Sequence, residues 1–327
     1  MMQRRDKITR RNFFSNSAFF FSATVAARSF CRAQDNQRAI GLGFSLYGMK
    51  SLSIEDALAA LSEIGYDSVE LPVMNDWPAD SARFTTEQAS RWRDLLAARR
   101  LRLTALMENL PALGDEAAHR ANLDRLKRAA EMTRQLTTTG SKPPLIETIM
   151  GGKAGEFDAV KERLVERLRD WAKVMAAAEV KLAVKAHIGN ATQRPDQLLW
   201  LLDRVASPWL VAAYDYSHFE LQNLDMQETL DRLIPRSLFI HVKDTEPAPR
   251  ADVTAKRGFL LPGEGTTDYS KLLKLIQAAG YRGDMIVEVS SQVSNKPGYE
   301  PLTAARKCYN HLSDAFKAAS IPRSSKN

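Results

Sequence analysis

Residues 182–190 read LAVKAHIGN, a short apolar run that ends in two ionisable residues, Lys185 and His187. The pattern repeats downstream. VAAYDYSH (211–218) ends in Asp215 and His218, LFIHVKD (238–244) in His241 and Lys243, and MIVEVS (285–290) in Glu288. Unbroken apolar runs of this length, separated by helix-like stretches, are the signature of parallel strands buried on both faces. Charged groups at the ends of such strands are costly unless they meet a ligand or one another. In a closed α/β barrel they do meet, at the C-terminal mouth.

Working outward from this stretch, eight strand-like segments alternate with helical periods. They start at Ile40, Asp67, Leu101, Pro144, Val180, Trp209, Leu238 and Asp284. Helical spacing is clear in 53–66, 86–100, 156–179 and 268–281. Ser53 is placed as an N-cap and Gly65 as the matching C-cap residue. Eight units without strand hairpins predict a single (β/α)8 barrel with its active site at the C-terminal mouth. The long connection from Asp244 to Asp268 reads as a βα loop bordering that site.

Two domain-level expectations concern the N-terminus. Arg10 and Arg11 precede an apolar stretch through Phe19 to Ala27, then small residues around Ala33. This predicts a twin-arginine-type export signal over 1–33, a barrel domain over 34–327, and a periplasmic mature protein without a membrane span. The formal charge of +7 is also concentrated there, since residues 1–33 hold seven basic residues and Asp6. The remainder is close to neutral, which disfavours nucleic acid as a partner. Of the two cysteines, Cys31 lies at the processing site, so Cys308 has no internal partner and the mature fold must rest on its core.

Strand side chains alternate, so parity decides what can converge. Lys185 pairs in parity with His187, and His241 with Lys243. Glu147 shares its face with Leu145 and Ile149. If these faces point inward, Glu147, Lys185, His187, Asp215, His241, Lys243 and Glu288 share one cup. Each alone has a plain reading: a buried hydrogen-bonded His, an Asp that caps the next helix, or Glu70 bonding a neighbouring loop. Two carboxylates and a His on successive strand ends also suit a hard or borderline divalent ion.

Together with GYDSVEL (65–71), IMGGK (149–153), LPGEGTTDY (261–269) and GYRGDMIVEVS (280–290), these motifs resemble the xylose-isomerase-like barrel superfamily, in its sugar phosphate isomerase/epimerase branch. The resemblance spans nearly the whole mature chain. It implies that Asp215, His241 and Glu288 ligate a divalent metal (Mn, Mg, Co or Zn). It also implies that His218 contacts substrate or metal. His187, Lys243 and Glu264 are the further candidates for substrate contact.

Lys185 departs from the family pattern, which has a metal-binding, catalytic Glu at this place. A protonated Lys has no lone pair for a metal. Three readings stay open. Glu147 or His187 replaces the lost ligand; or the Lys185 ammonium takes over the metal's electrostatic task; or Lys185 is desolvated and acts as a base. The expected activity is isomerisation or epimerisation of a free or oxidised sugar by proton abstraction next to a carbonyl, with Glu288, Lys185 and Glu147 as catalytic groups. The alternatives are a keto-glycoside lyase using Lys185 and a non-catalytic sugar-binding barrel; a DNA endonuclease of the same superfamily is disfavoured. Tyr47, Trp77 and Tyr216 are candidate sugar-stacking rings, and a homo-oligomer is compatible with the sequence.

Overall fold

The computed structural model describes residues 39–324, apart from 139 and 250–255. The export signal expected over 1–33 lies outside the described residues. Eight parallel strands close into a barrel: β1 (Gly41–Ser45), β2 (Ser68–Pro72), β3 (Arg102–Met107), β4 (Leu145–Ile149), β5 (Leu182–Lys185), β6 (Leu210–Asp215), β7 (Ser237–Val242) and β10 (Asp284–Val287). Neighbours follow chain order, and β10 pairs with both β7 and β1 to close the ring. All eight predicted strand segments are present.

Helices fill the outside of the ring. α1 (Ile54–Ile64) starts at Ser53, whose hydroxyl accepts from Asp56 N, and stops at Gly65 in the left-handed region. α2 (Thr86–Ala98) opens with a capping box between Thr85 and Gln88. α3 (Glu116–Leu136), α4 (Phe157–Ala178) and α5 (Pro195–Val205) follow, then the short α6 (Tyr216–Glu220), α7 (Met226–Leu233), α8 (Tyr269–Ala278), α9 (Ser291–Ser294) and α10 (Pro301–Ala319). Their apolar faces pack against the outward strand residues in one large core. Among the described residues, no helix is long and apolar enough to cross a membrane.

Inside the ring, a second and smaller cluster joins Ala105, Ala183, Ala213, Phe239 and Ile286. Three alanines leave room for Phe239, so this layer is filled by side chains from five strands. It forms the floor of the cup. Two residues further along the same faces come Met107, Lys185, Asp215, His241 and Glu288.

One expectation needs correction. The Asp244–Asp268 connection is not a plain loop: β8 (Asp244–Thr245) and β9 (Phe259–Leu260) form a two-stranded antiparallel ribbon outside the barrel. Asp244 organises it, because its carboxylate accepts from the backbone N–H of Thr245, Gly263, Gly265 and Thr267. Gly265 is required there, since a Cβ would lie 2.2 Å from Thr245 O and 2.4 Å from Asp244 Oδ1. A two-residue strand carries too little periodicity to be seen in sequence.

Candidate active site

The cup holds a buried network of four carboxylates, two lysines and a histidine: Glu70, Glu147, Asp215, Glu288, Lys185, Lys243 and His241. The β-ladder places them. Asp215 is opposite His241 across β6 and β7, His241 opposite Ile286 across β7 and β10, and Glu147 opposite Met107 on β3.

Lys185 sits at the centre. Its Nζ is 2.9 Å from His241 Nδ1, 3.1 Å from Glu288 Oε2, 3.2 Å from Glu147 Oε1 and 4.0 Å from Asp215 Oδ2. Burial would push the ammonium pKa down, but Glu147, Glu288 and Asp215 more than offset this and raise it. Three carboxylates within 4.0 Å favour the charged form of Lys185 and disfavour a neutral lysine base. Lys243 bridges the other side: Nζ donates to Asp215 Oδ2 at 2.7 Å and to Glu288 Oε2.

The carboxylates divide by their surroundings. Burial raises Asp215 and Glu288, but the lysines beside them hold both well below the usual carboxylate range. Glu147 is also fully buried, and there burial wins and its pKa is raised. Both Glu147 oxygens lack a hydrogen-bond partner, so its one stabilising contact is the Lys185 charge. Asp215 does two jobs. Its Oδ1 accepts from Ser217 N and Ser217 Oγ and caps α6, while Oδ2 faces Lys243. Asp215 thus caps α6 and at the same time faces the cup.

Glu70 is a member of the site that the sequence reading assigned elsewhere. It does not bond a neighbouring loop; its Oε2 lies 2.9 Å from His241 Nε2, inside the barrel. Its parity on β2, shared with Ser68, was the available signal; the register shift in the β2–β3 pairing skips Thr104 on β3 and leaves β2 regular. A carboxylate on one ring nitrogen fixes the tautomer and leaves the other nitrogen for the centre of the cup. For His241, burial pushes the imidazole down, Glu70 pulls it up, Lys185 pushes it down and Glu288 pulls it up, to about 9. A protonated Nδ1 would, however, face the Lys185 ammonium donor to donor at 2.9 Å. The contact geometry favours neutral His241, donating through Nε2–H to Glu70 and accepting from Lys185 at Nδ1.

His187 and His218 form the rim, with ring centroids 4.0 Å apart. His218 is fully buried, with Nε2 3.3 Å from Asp215 Oδ2, and burial lowers its pKa to about 4 despite that carboxylate. Burial, His218 and Lys185 together push His187 well below its ordinary value. His187 is only partly buried, and its Nδ1 lies 2.8 Å from the Ile188 carbonyl. As an acceptor, the carbonyl requires Nδ1–H, so Nε2 carries a lone pair.

Glu264 stands apart from the network. Its carboxylate accepts from Leu261 N and pairs with Lys307, closing the glycine-rich turn. Tyr47 and Trp77 stack at 4.8 Å and line a cavity of about 330 Å³ with Ser291 and Tyr299. Burial and the Glu288 charge raise the Tyr47 pKa. Tyr216 instead packs against the core and donates to Leu224 O.

Residues 58–312 match the family model of the xylose isomerase-like TIM barrel. The chain belongs to this family. It is 24% identical over 163 residues to an inosose dehydratase of Yersinia enterocolitica, covering 46% of this chain and 54% of that protein. The chain thus spans about half the length of the inosose dehydratases it matches. It is 23% identical over 268 residues to a fructoselysine 3-epimerase of Escherichia coli O157:H7, covering 78% and 92%. Among solved structures, a xylose isomerase domain protein from Alicyclobacillus acidocaldarius superposes with a TM-score of 0.68 at 19% identity, covering 86% of this chain and all of that one. A xylose isomerase-like barrel protein from Mycobacterium smegmatis in complex with magnesium gives 0.65 at 14% identity, covering 86% and 98%.

Asp215, His241 and Glu288 are a buried group whose ligand atoms lie within 4.8 Å of one another, and by donor type they could hold a metal ion. With Lys185 in place they do not fit one. A divalent ion bonds such donors at about 2.0–2.2 Å, and the space at that distance from His241 Nδ1 and Glu288 Oε2 is taken by the Lys185 nitrogen.

Proposed function

We propose that this protein is a carbohydrate-active enzyme that transfers a proton at the carbon next to a carbonyl of a keto-sugar or keto-cyclitol. The observation that carries the reading is the pairing of Lys243 with Glu288. Lys243 has two N–H groups committed, to Asp215 and to Glu288 Oε2. We assign its third to a developing enolate oxygen, where a fixed positive donor is worth most. Glu288 keeps one oxygen, Oε1, outside this network, and its side chain is 12% exposed. That oxygen serves as the base at the adjacent C–H. His187, two residues past the end of β5 and three strands round the barrel from β10, carries the second proton-handling atom, Nε2.

The relatives support the same first step. They include proteins named as a fructoselysine 3-epimerase and an inosose dehydratase, names compatible with proton transfer at a carbon of a sugar or cyclitol. The aromatic-walled cavity beside Tyr47 and Trp77 suits the apolar face of a sugar ring. Incubation with inososes and 3-keto-glycosides in deuterated water, followed by NMR, tests the proposal. Deuterium at the carbon next to the carbonyl, lost in Lys243→Met, supports it. Exchange with inversion identifies an epimerase, and an unsaturated ketone identifies a dehydratase or lyase. Absence of exchange across both substrate classes would leave the sugar-binding barrel as the reading.

Export through the twin-arginine route is a separate proposal, carried by Arg10, Arg11 and the apolar run that follows. N-terminal sequencing of the protein recovered outside the cytoplasm tests it.

A further inference from the structure

We propose that Lys185 replaces the metal of this barrel: its ammonium occupies the cation position between Asp215, His241 and Glu288, and the protein works without a divalent ion. The proposal rests on the proton-transfer reading above and concerns what supplies the positive centre there.

The geometry is that of a filled cation site. Lys185 Nζ lies within 4.0 Å of an atom from each of the three donors. Its Nζ is hydrogen-bonded to His241 Nδ1 and Glu288 Oε2 and stands 3.2 Å from Glu147 Oε1 as an ion pair. Buried and enclosed by these groups, Lys185 acts as a fixed charge and a positioning residue rather than as a contact to the reacting atoms. Glu70 completes the picture: its bond to His241 Nε2 turns Nδ1 toward the centre, the arrangement that serves a metal-bound histidine, but here Nδ1 accepts from an ammonium.

The charge count agrees. One ammonium carries half the charge of a divalent ion, and Lys243 supplies the other half, sharing Glu288 Oε2 with Lys185. Two unit charges thus stand among the carboxylates that would otherwise surround one doubly charged ion. Adding an ion to this arrangement would bring it against both ammonium groups in a medium where like charges repel strongly. The division also separates two tasks: Lys185 holds the acids in place, and Lys243 donates to the substrate oxygen.

The test compares the full chain, purified without chelator, with Lys185→Glu. Equilibrium dialysis against manganese, zinc or magnesium is read beside thermal melting with and without EDTA. The expected result is that the native protein binds no stoichiometric ion and melts at the same temperature with EDTA. Lys185→Glu should bind one manganese per chain, with affinity higher by at least ~100-fold, as expected when a missing ligand is restored, and its melting temperature should rise on loading. Lys185→Gln, which keeps a ligating carbonyl, replaces it if the Glu variant does not fold. One equivalent of metal in the native protein, lost in Asp215→Ala, overturns the proposal; so does failure of both variants to gain an ion. The deuterium-exchange assay separates the two readings: exchange that requires the metal overturns the lysine replacement and keeps the proton-transfer function, whereas an ion-free native protein with no exchange does the reverse.

Discussion

Lys185 Nζ lies 2.9 Å from His241 Nδ1, and the opposite nitrogen of that ring lies 2.9 Å from Glu70 Oε2. A buried ammonium, an imidazole and a carboxylate thus form a line from the centre of the cup to β2. The order of charges along it sets the tautomer of His241 and ties three strands together.

Removing the ammonium should be felt first in stability. Lys185→Met leaves Glu147 and Glu288 without their central partner, and losing one side of a buried ion pair costs about 3–5 kcal/mol. Urea unfolding at neutral pH should show a loss of that order. The loss should shrink at mildly acidic pH, where the uncompensated carboxylates protonate. A variant as stable as the native protein would mean that the lysine is not buried among acids.

Glu70→Ala should act through the imidazole. Without its acceptor the Nε2–H tautomer is no longer favoured, and activity should fall roughly 10- to 100-fold, the usual cost of losing such a partner. Nitrogen-15 NMR of His241 reports the change directly. An unchanged tautomer with unchanged activity would assign Glu70 a packing role.

The acid side of the stability curve should follow His218 together with His187, both held below the ordinary histidine value. The folded pKa of His218 is about 4, below the ordinary histidine value of about 6.5. The unfolded chain therefore takes up the proton first. The stabilisation is fully present above pH ~6.5 and is lost as pH falls toward 4, by about 3 kcal/mol. Asp215 and Glu288, held well below their ordinary values, should add a second loss below pH ~4. In His218→Gln the slope between pH 6.5 and 4 should flatten. A slope equal to the native one would remove His218 as its cause.

Gly265→Ala tests the ribbon. A Cβ there meets Thr245 O and Asp244 Oδ1, so the turn must open and release the Asp244 cap. The cost should be about 1–3 kcal/mol in denaturant unfolding, with the melting of the barrel still cooperative. A neutral substitution would show that the turn has room to shift.

The barrel was legible in the chain because buried parallel strands and amphipathic helices have different periods. Both survive in a single sequence as runs such as LAVKAH and caps such as Ser53 and Gly65. Parity alone placed Glu147, Lys185, Asp215, His241, Lys243 and Glu288 on inward faces, and the closed ring brings them together. Glu264 was singled out by its glycine-rich surroundings, yet it serves the turn and Lys307. Glu70 was not legible as part of the site, because the partner that places it there, His241, lies 171 residues away in the chain. What only the tertiary structure decided is which groups share one point in space. Sequence parity gives the face of a strand, but the height of each side chain above the barrel floor depends on strand stagger. That stagger sets the Lys185 nitrogen among Asp215, His241 and Glu288, where the charge of the whole cup is balanced.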